Sequence, residues 1–253
     1  QVDGKMVPFT PSFSLDRMLL PWLKIGAKLA RNFRLPTLND LYWQPGGNPD
    51  LLAETGWSEE LNLRFSHKQK ALHIDFTTAI FNRNIKNWVL WHPKEGQAFW
   101  SASNLAEVWS RGIENRFHLS WNRGFLELKL DAGYDYIRST NLRAIAIPKI
   151  EAGQQLIYVP ENQGFAKVQV KLKGLGFGYR HHFIGSVLTE LGSLPSFQVG
   201  SINIDFERPM LGLGTRFFFQ IDNCWNANYR VIERRPMPGR SFEVGCSINF
   251  IKN

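Results

Sequence analysis

The feature that most constrains this chain is an alternation of apolar and polar residues that recurs along most of its length. In residues 126–136, Leu, Ala and Tyr occupy every second position, and Glu, Lys, Asp and Gly occupy the positions between them. Because successive side chains of a β-strand point to opposite faces, this pattern predicts a strand with one apolar and one polar face. Similar patterns predict ten strands, over residues 23–29, 61–65, 72–80, 113–121, 126–136, 166–173, 175–179, 202–206, 213–221 and 242–250.

The length of the clearest apolar row favours a surface that faces lipid. The row spans about ten residues, which at ~3.3 Å per residue and a ~45° tilt covers roughly 23 Å, the height of an outer-membrane apolar band. It ends on Tyr136 and begins beside Trp121 and Phe125. Aromatic residues at both ends of an aliphatic row are typical of the two membrane interfaces.

The predicted connections alternate between short and long. Short connections fall at residues 66–70, 122–124, 173–175 and 209–212, and long ones at 35–55, 92–103, 139–163, 190–196 and 233–240. Outer-membrane barrels have short periplasmic turns and longer extracellular loops. The sequence therefore predicts an all-β fold, an antiparallel transmembrane β-barrel portion of about ten up-and-down strands. If the first strand runs outward, the tenth runs inward.

Composition argues against catalysis and against nucleic-acid binding. The net charge is +8, but Lys and Arg are scattered through the alternating segments, with one denser stretch at residues 230–240. None of the six His residues has a metal-ligand spacing, and the paired acids sit on predicted polar faces. No enzyme activity, metal or cofactor is predicted. Cys224 and Cys246 are consistent with either a disulfide or two free thiols.

Several sequence blocks resemble TonB-dependent outer-membrane receptors. Residues 30–42 (ARNFRLPTLNDLY) resemble the family's "FRAP…ELY" block, and residues 47–51 (GNPDL) resemble "GNPxLxPE", although Leu52 and Ala53 precede Glu54 where the family usually has Pro. Residues 221–229 resemble "NLFDxxY", and residues 238–240 match "PGR". The blocks occur in order from about residue 7 to residue 250. One departure is that residues 251–253 follow Phe250, whereas such barrels usually end on an aromatic residue.

The resemblance implies a larger molecule than this sequence. The family has a barrel of about 22 strands, an N-terminal plug and a segment that contacts TonB. We therefore expect residues 1–253 to be the C-terminal part of the barrel, with the plug and the first strands outside this sequence.

The implied function is TonB-dependent uptake of a scarce solute across the outer membrane of a Gram-negative bacterium. The block likeness favours cobalamin or a ferric siderophore, with cobalamin slightly preferred. The expected partners are outer-membrane lipid, the small-molecule ligand, and TonB through the plug. The alternatives are a non-transporting surface barrel, acting as an adhesin or structural anchor, and a soluble β-sandwich binding module.

Aromatic and polar residues in the predicted outer loops are the candidate ligand-binding residues. Exposed aromatic rings reduce solubility unless they bind something, and rings could stack on a rigid, partly apolar ligand while polar groups bond its rim. The alternative is that these rings pack the loops together or belong to the outer aromatic girdle. The candidates are Tyr42, Trp43, Asn48, Asp50, Trp91, Trp100 and Arg143.

Overall fold

The computed structural model describes residues 8–94, 96–144, 146, 149–210 and 213–250, and the fold within them is all-β. Strands and the single described helix run in the order β1 (Ser12–Leu20), β2 (Leu23–Arg34), α1 (Leu38–Tyr42), β3 (Glu54–Gln69), β4 (Leu72–Pro93), β5 (Trp100–Arg123), β6 (Leu126–Asn141), β7 (Asn162–Leu172), β8 (Leu175–Ile184), β9 (Val187–Leu188), β10 (Ser193–Leu194), β11 (Phe197–Met210), β12 (Leu213–Asp222), β13 (Arg230–Ile232), β14 (Arg235–Pro236) and β15 (Ser241–Phe250). No helix in this part of the chain is long and apolar enough to cross a membrane.

Eleven strands form one antiparallel sheet in the order β1-β2-β3-β4-β5-β6-β7-β8-β11-β12-β15. The remaining four form two small hairpins, β9 with β10 and β13 with β14. Neighbours in the sheet are neighbours in sequence, apart from the hairpins that interrupt two connections. The predicted up-and-down antiparallel fold is confirmed, and each of the ten predicted segments coincides with a strand of this sheet.

The sheet has one strand that the alternation did not predict, β1. Its apolar row starts with Phe13 and Leu15, but the next position on that face is Arg17, which lies opposite Ile25 of β2. The strand then ends in a run of Met and Leu, where the pairing register shifts. Because a charged residue occupies an apolar position and the alternation is lost at the end of the strand, a search for strict alternation does not detect β1.

The pairing register aligns the apolar positions into continuous rows. Leu119 lies opposite Leu130, which lies opposite Val168, which in turn lies opposite Tyr179. Many of these side chains are exposed, including Ile80 at 55% and Val244 at 78%. No second large sheet of the described residues packs against them, which is not the arrangement of the β-sandwich that the sequence left as an alternative. The apolar face of the sheet is the face that meets lipid.

The other face is polar. Two clefts of ≈ 490 and ≈ 310 Å³ are lined mainly by its polar side chains. Ion pairs join neighbouring strands across it: Asp16–Lys24 at 3.3 Å, Arg64–Asp75 at 3.2 Å, and Arg116–Asp135. His118 Nδ1 and Asp131 Oδ1 form a 2.7 Å hydrogen bond between β5 and β6, and Lys171 of β7 reaches across β8 to pair with Glu207 of β11 at 2.6 Å. This face is the lumen wall of the barrel portion.

The sheet is not closed into a barrel. β1 and β15 are its two edges, and because ten antiparallel pairings lead from one to the other, both run in the same direction. They therefore cannot pair with each other in the antiparallel manner of the rest of the sheet.

The connections are segregated by length, as predicted. Residues 21–22, 70–71, 124–125 and 173–174 form short turns at one end of the strands, and the long connections gather at the other, outer end. Residues 211–212 of the predicted short connection 209–212 lie outside the described residues, as do residues 251–253, which follow Phe250 in the sequence.

The two cysteines are both free. Cys246 lies opposite Phe217 on the lipid-facing side, whereas Cys224 lies beyond Asp222, the outer end of β12. The five residue steps from Phe217 to Asp222 already separate these levels by about 16 Å. A disulfide requires α-carbons within about 7 Å, so the two thiols do not pair.

Candidate ligand site at the outer loops

β4 and β5 continue well beyond the lipid-facing rows and support the outer loops. β4 has 22 residues and β5 has 24, whereas β8 has 10. On the lipid-facing side of β4 the apolar row runs from Leu72 to Ile80, and Asn82 and Asn84 follow it. The outer part of this hairpin therefore stands above the lipid and offers backbone and side chains against which loop 35–53 docks.

Helix α1 gives loop 35–53 a fixed shape. Thr37 is its N-cap, and the Thr37 hydroxyl accepts a hydrogen bond from the backbone N–H of Asp40 at 3.1 Å. In return, Asp40 Oδ2 accepts from the backbone N–H of Thr37 at 2.9 Å. This reciprocal capping box satisfies backbone donors that a five-residue helix would otherwise leave unpaired.

Asp40 also ties the helix to the β4–β5 hairpin. Its Oδ1 accepts a hydrogen bond from Trp91 Nε1 at 2.8 Å, and the residue is only 7% exposed. Burial acts to raise the pKa of Asp40, but the hydrogen bonds from Trp91 and Thr37 and the charge of Arg34 outweigh it and lower the pKa below its ordinary value. Asp40 is therefore an ionised carboxylate that holds the loop in place.

Backbone contacts extend the docking along the loop. The N–H of Ala102 donates to the carbonyl of Gly46 at 2.9 Å, and Asn48 Nδ2 donates to the carbonyl of Ala102 at 3.5 Å. A Cβ on Gly46 would overlap the carbonyl oxygen of Trp100. The glycine thus allows two backbones to approach closely.

The inner end of the loop is fixed by a buried carboxylate. Glu54 accepts two hydrogen bonds from the Arg34 guanidinium and one from the backbone N–H of Val89, the last at 3.0 Å. The hydrogen bond to Glu54 raises the pKa of Arg34, so the guanidinium stays charged. A paired and hydrogen-bonded charge is the form in which a carboxylate tolerates burial.

Next to this docked loop lies a cleft of ≈ 850 Å³ at which four outer segments meet. Its volume is within the range of small-molecule sites, and its lining combines apolar and aromatic side chains with a few charged ones. The lining residues are Pro93, Trp100, Tyr158, Glu190, Leu191, Val231, Ile232, Glu233, Arg234 and Arg235.

Tyr158 and Glu190 form the polar centre of the cleft. The Tyr158 hydroxyl donates to Glu190 Oε2 at 3.1 Å, and the Tyr158 N–H donates to the carbonyl of Leu188 at 2.8 Å. Burial, and then the charge of Glu190, raise the pKa of Tyr158, so the phenol stays protonated and can donate. Glu190 Oε1 is buried and has no hydrogen-bond partner among the described residues. An unpaired buried acceptor costs free energy that a ligand donor would recover.

The seven predicted ligand residues fall into two groups. Four of them line the cleft or are exposed on the docked loop, and three make contacts within the protein. Trp100 lines the cleft and is 45% exposed. Tyr42, Trp43 and Asp50 are exposed on the docked loop, where Trp43 is the C-cap of α1.

The other three predicted residues make contacts within the protein. Asn48 and Trp91 hold loop 35–53 to the hairpin, as described above. Arg143 forms an ion pair with Glu107 at 3.1 Å. The proposal that loop aromatics pack the loops together therefore applies to Trp91, and a direct ligand role for any of the seven stays a prediction.

Sequence reasoning missed the β13–β14 hairpin, which supplies half of the cleft lining. Val231, Ile232, Arg234 and Arg235 lie on this hairpin or its turn. The signal that could have found them was present, because residues 230–240 are the densest basic stretch and contain two adjacent apolar residues. Among the described residues, no group of three or more His, Cys, Asp or Glu side chains is arranged to hold a metal ion.

Comparison with known proteins gives one family for most of the chain. The family model "TonB dependent receptor-like, beta-barrel" matches residues 5–224. The vitamin B12 transporter BtuB of Photobacterium profundum is 31% identical over 120 residues, which are 46% of this chain and 18% of that protein. BtuB of Vibrio vulnificus is 31% identical over 93 residues, 37% of this chain and 14% of that protein.

Solved structures share the fold at low identity. The copper transporter OprC superposes with a TM-score of 0.71 at 15% identity, covering 95% of this chain and 39% of that chain. The ferric-catecholate import receptor Fiu from K12 E. coli superposes with a TM-score of 0.66 at 18% identity, covering 93% of this chain and 34% of that chain. This chain thus spans less than half the length of the relatives it matches, and those relatives are transport proteins rather than enzymes.

Proposed function

Because this chain belongs to the TonB-dependent receptor β-barrel family, we propose that it supplies lumen wall and outer loops for uptake of a scarce small solute. As a member of this family it is an outer-membrane protein of a Gram-negative bacterium. In this proposal the chain forms the C-terminal part of a larger barrel. Energy coupling would then come from TonB, acting through a plug region outside this sequence.

The observation that carries the proposal is the cleft of ≈ 850 Å³ between the outer loops. Transport receptors must capture their solute on the outer side, and the cleft lies at that end of the sheet. It offers aromatic and aliphatic walls with charged groups at its edge, which suits a rigid and partly apolar ligand with a polar rim.

We propose cobalamin as the ligand, with a ferric siderophore as the second candidate. The two BtuB relatives, at 31% identity, support cobalamin. A ferric siderophore remains the second candidate because the sequence blocks also resemble siderophore receptors. The likeness to a ferric-catecholate import receptor, at 18% identity, bears on the fold alone.

We first assign roles to the residues that line the cleft and then to the other residues predicted from the sequence. Trp100 would stack on the ligand, Tyr158 and Glu190 would bond its polar edge, and Arg234 and Arg235 would bind its anionic groups. Tyr42, Trp43, Asn48, Asp50, Trp91 and Arg143 remain proposed ligand-binding residues. Tyr42, Trp43 and Asp50 are exposed and free to contact a solute directly, and Trp91 and Asn48 would act by holding the loop that carries them.

Equilibrium binding of the intact protein to cyanocobalamin and to a panel of ferric siderophores tests the proposal. We expect Trp100→Ala to weaken binding about tenfold, because it removes a large aromatic contact. Trp57→Ala is the matched control, since Trp57 is similarly exposed at 45% but lies on the lipid-facing side of β3.

Two results would contradict different parts of the proposal. Cobalamin affinity weaker than micromolar, together with tight binding of a siderophore, would show that the ligand is wrong. Unchanged cobalamin binding in Trp100→Ala and Trp43→Ala would show that the ligand is right but the site lies elsewhere.

A further inference from the structure

Two arginines lie directly opposite each other on the lipid-facing side, one step above the apolar rows. Arg111 of β5 pairs in register with Arg138 of β6, and the next pair toward the lipid is Ile113 with Tyr136. Like charges directly opposite on one face of a sheet repel each other and destabilise the pairing. The position therefore calls for a compensating negative charge.

The protein does not supply that charge among the described residues. Arg111 stacks on the Trp109 ring, with its guanidinium carbon 3.5 Å from the ring centroid, and donates to Thr140 Oγ1 at 3.3 Å. Both partners are neutral. Arg138 is exposed and, like Arg111, forms no ion pair with a described residue.

The nearest acids on the same face are already engaged. Glu107 pairs with Arg143 at 3.1 Å. Glu59 lies two strands from Arg111 in the same register row and accepts a hydrogen bond from Asn82 Nδ2 at 3.1 Å. Neither carboxylate neutralises the Arg111–Arg138 pair. Arg111 Nη1 donates to the Trp109 carbonyl at 3.4 Å and to Thr140 Oγ1, and the other donors of the two guanidinium groups remain available to an outside anion.

We propose that Arg111 and Arg138 bind a phosphate group of a lipid headgroup in the outer leaflet. A guanidinium binds phosphate through two parallel hydrogen bonds, and a phosphate between two of them converts their repulsion into attraction. Stacking on Trp109 holds the Arg111 fork in place before the anion arrives.

The depth of the pair fits a lipid headgroup rather than a phosphate free in solution. Arg138 is two residues, or about 7 Å along the strand, beyond Tyr136, which with Tyr134 forms the outer end of an apolar row. Aromatic residues mark the interface of the membrane, and headgroup phosphates lie at that level or just above it. Acyl chains of a lipid bound here would lie along Ile113 and Ile80, which are exposed on the same face.

Retention of phosphorylated lipid A by the intact protein in detergent, measured by native mass spectrometry, tests this inference. The variant is Arg111→Gln with Arg138→Gln. The control is Arg83→Gln with Arg180→Gln, which removes two positive charges from the lumen side; Arg83 lies within one residue of the level of Arg111. A heat-modifiable band on a denaturing gel and the circular dichroism of the sheet establish that each variant is folded.

We expect the Arg111/Arg138 variant to retain lipid A about tenfold less well, and the control to match the unmodified protein. Dephosphorylated lipid A should be retained poorly by all three proteins. Equal retention by the unmodified protein and the Arg111/Arg138 variant would overturn the proposal, as would equal retention of dephosphorylated lipid A. Displacement of lipid A by millimolar inorganic phosphate would show that the pair is a site for free phosphate instead.

Discussion

Trp91 Nε1 donates a 2.8 Å hydrogen bond to Asp40 Oδ1, and this bond joins residues 51 positions apart in the sequence. Asp40 is in helix α1 of loop 35–53, and Trp91 is near the outer end of β4. The bond fixes the 19-residue loop 35–53 to the outer end of β4. Because the proposed ligand residues Tyr42, Trp43 and Asp50 lie on this loop, their positions depend on the loop staying docked to the sheet.

Replacing Trp91 by Phe tests the contribution of this bond. The substitution keeps an aromatic ring but removes the donor, and it leaves a buried carboxylate oxygen without a partner. We expect the docked state of loop 35–53 to lose about 1–3 kcal/mol. Faster amide exchange at Ala102, whose N–H donates to Gly46, reports the loss. Trp43→Phe is the control because Trp43 is 58% exposed. Equal exchange in the two variants would contradict the structural role of Trp91.

Acid should loosen the same loop. The folded protein lowers the pKa of Asp40, so the carboxylate contributes stability that is present above its unfolded pKa of about 3.9. That stability is lost as the pH falls through the lower, folded pKa. We expect loop 35–53 to stay docked from neutral pH to about pH 5 and to open below about pH 4. Exchange at Ala102, corrected for the intrinsic rate at each pH, follows the opening. In Asp40→Asn this acid-induced step should disappear, and its persistence would assign the step to another group.

Gly46→Ala should also undock the loop, for a steric reason. The added methyl group would overlap the carbonyl oxygen of Trp100 and press on the Trp91 ring. Backbone atoms cannot move aside as a flexible side chain can, so we expect a loss of more than about 2 kcal/mol. The control is Gly96→Ala, where the methyl group meets no described atom but a φ of +75° costs about 1 kcal/mol. Proteolytic nicking of loop 35–53 in the first variant only is the expected result; resistance in both would contradict it.

Tyr158→Phe should disorder one wall of the cleft. Without the phenol, Glu190 Oε2 loses a partner, while Oε1 already has none among the described residues. We expect the segment around Glu190 to lose about 1–3 kcal/mol of local stability. Exchange at the Thr189 amide, which donates to Gly192 at 3.0 Å, measures this. Tyr134→Phe removes a comparable hydrogen bond on the lipid-facing side, to Asn162, and should leave Thr189 unchanged. A similar effect of both variants would show that the change is not local to the cleft.

Period-two alternation predicted ten of the eleven strands of the sheet because it follows from the geometry of a single strand. Residues 126–136 specify which side chains face lipid without reference to any other strand. Loop lengths then predict which end of the sheet lies outside. The same reasoning failed at β1, where Arg17 occupies a position on the lipid-facing side and breaks the local pattern.

The candidate site was predicted less well because its residues come together through contacts far apart in sequence. Trp100 was identified as a candidate because exposed aromatic rings are unusual wherever they occur. Its neighbours in the cleft, from Tyr158 to Arg235, come from segments whose meeting depends on the register of every strand between them. No local pattern encodes that register.

The sequence by itself determined the strands, their two faces and the side of the sheet that carries the long loops, since each depends on backbone geometry over a few residues. Only the tertiary structure decided that Asp40 bonds Trp91, that Arg111 lies opposite Arg138, and that the β13–β14 hairpin completes the cleft. The physical reason is that a contact between distant segments depends on the sum of all pairings between them, and a shift of one residue anywhere along the sheet moves the side chains that meet to opposite faces.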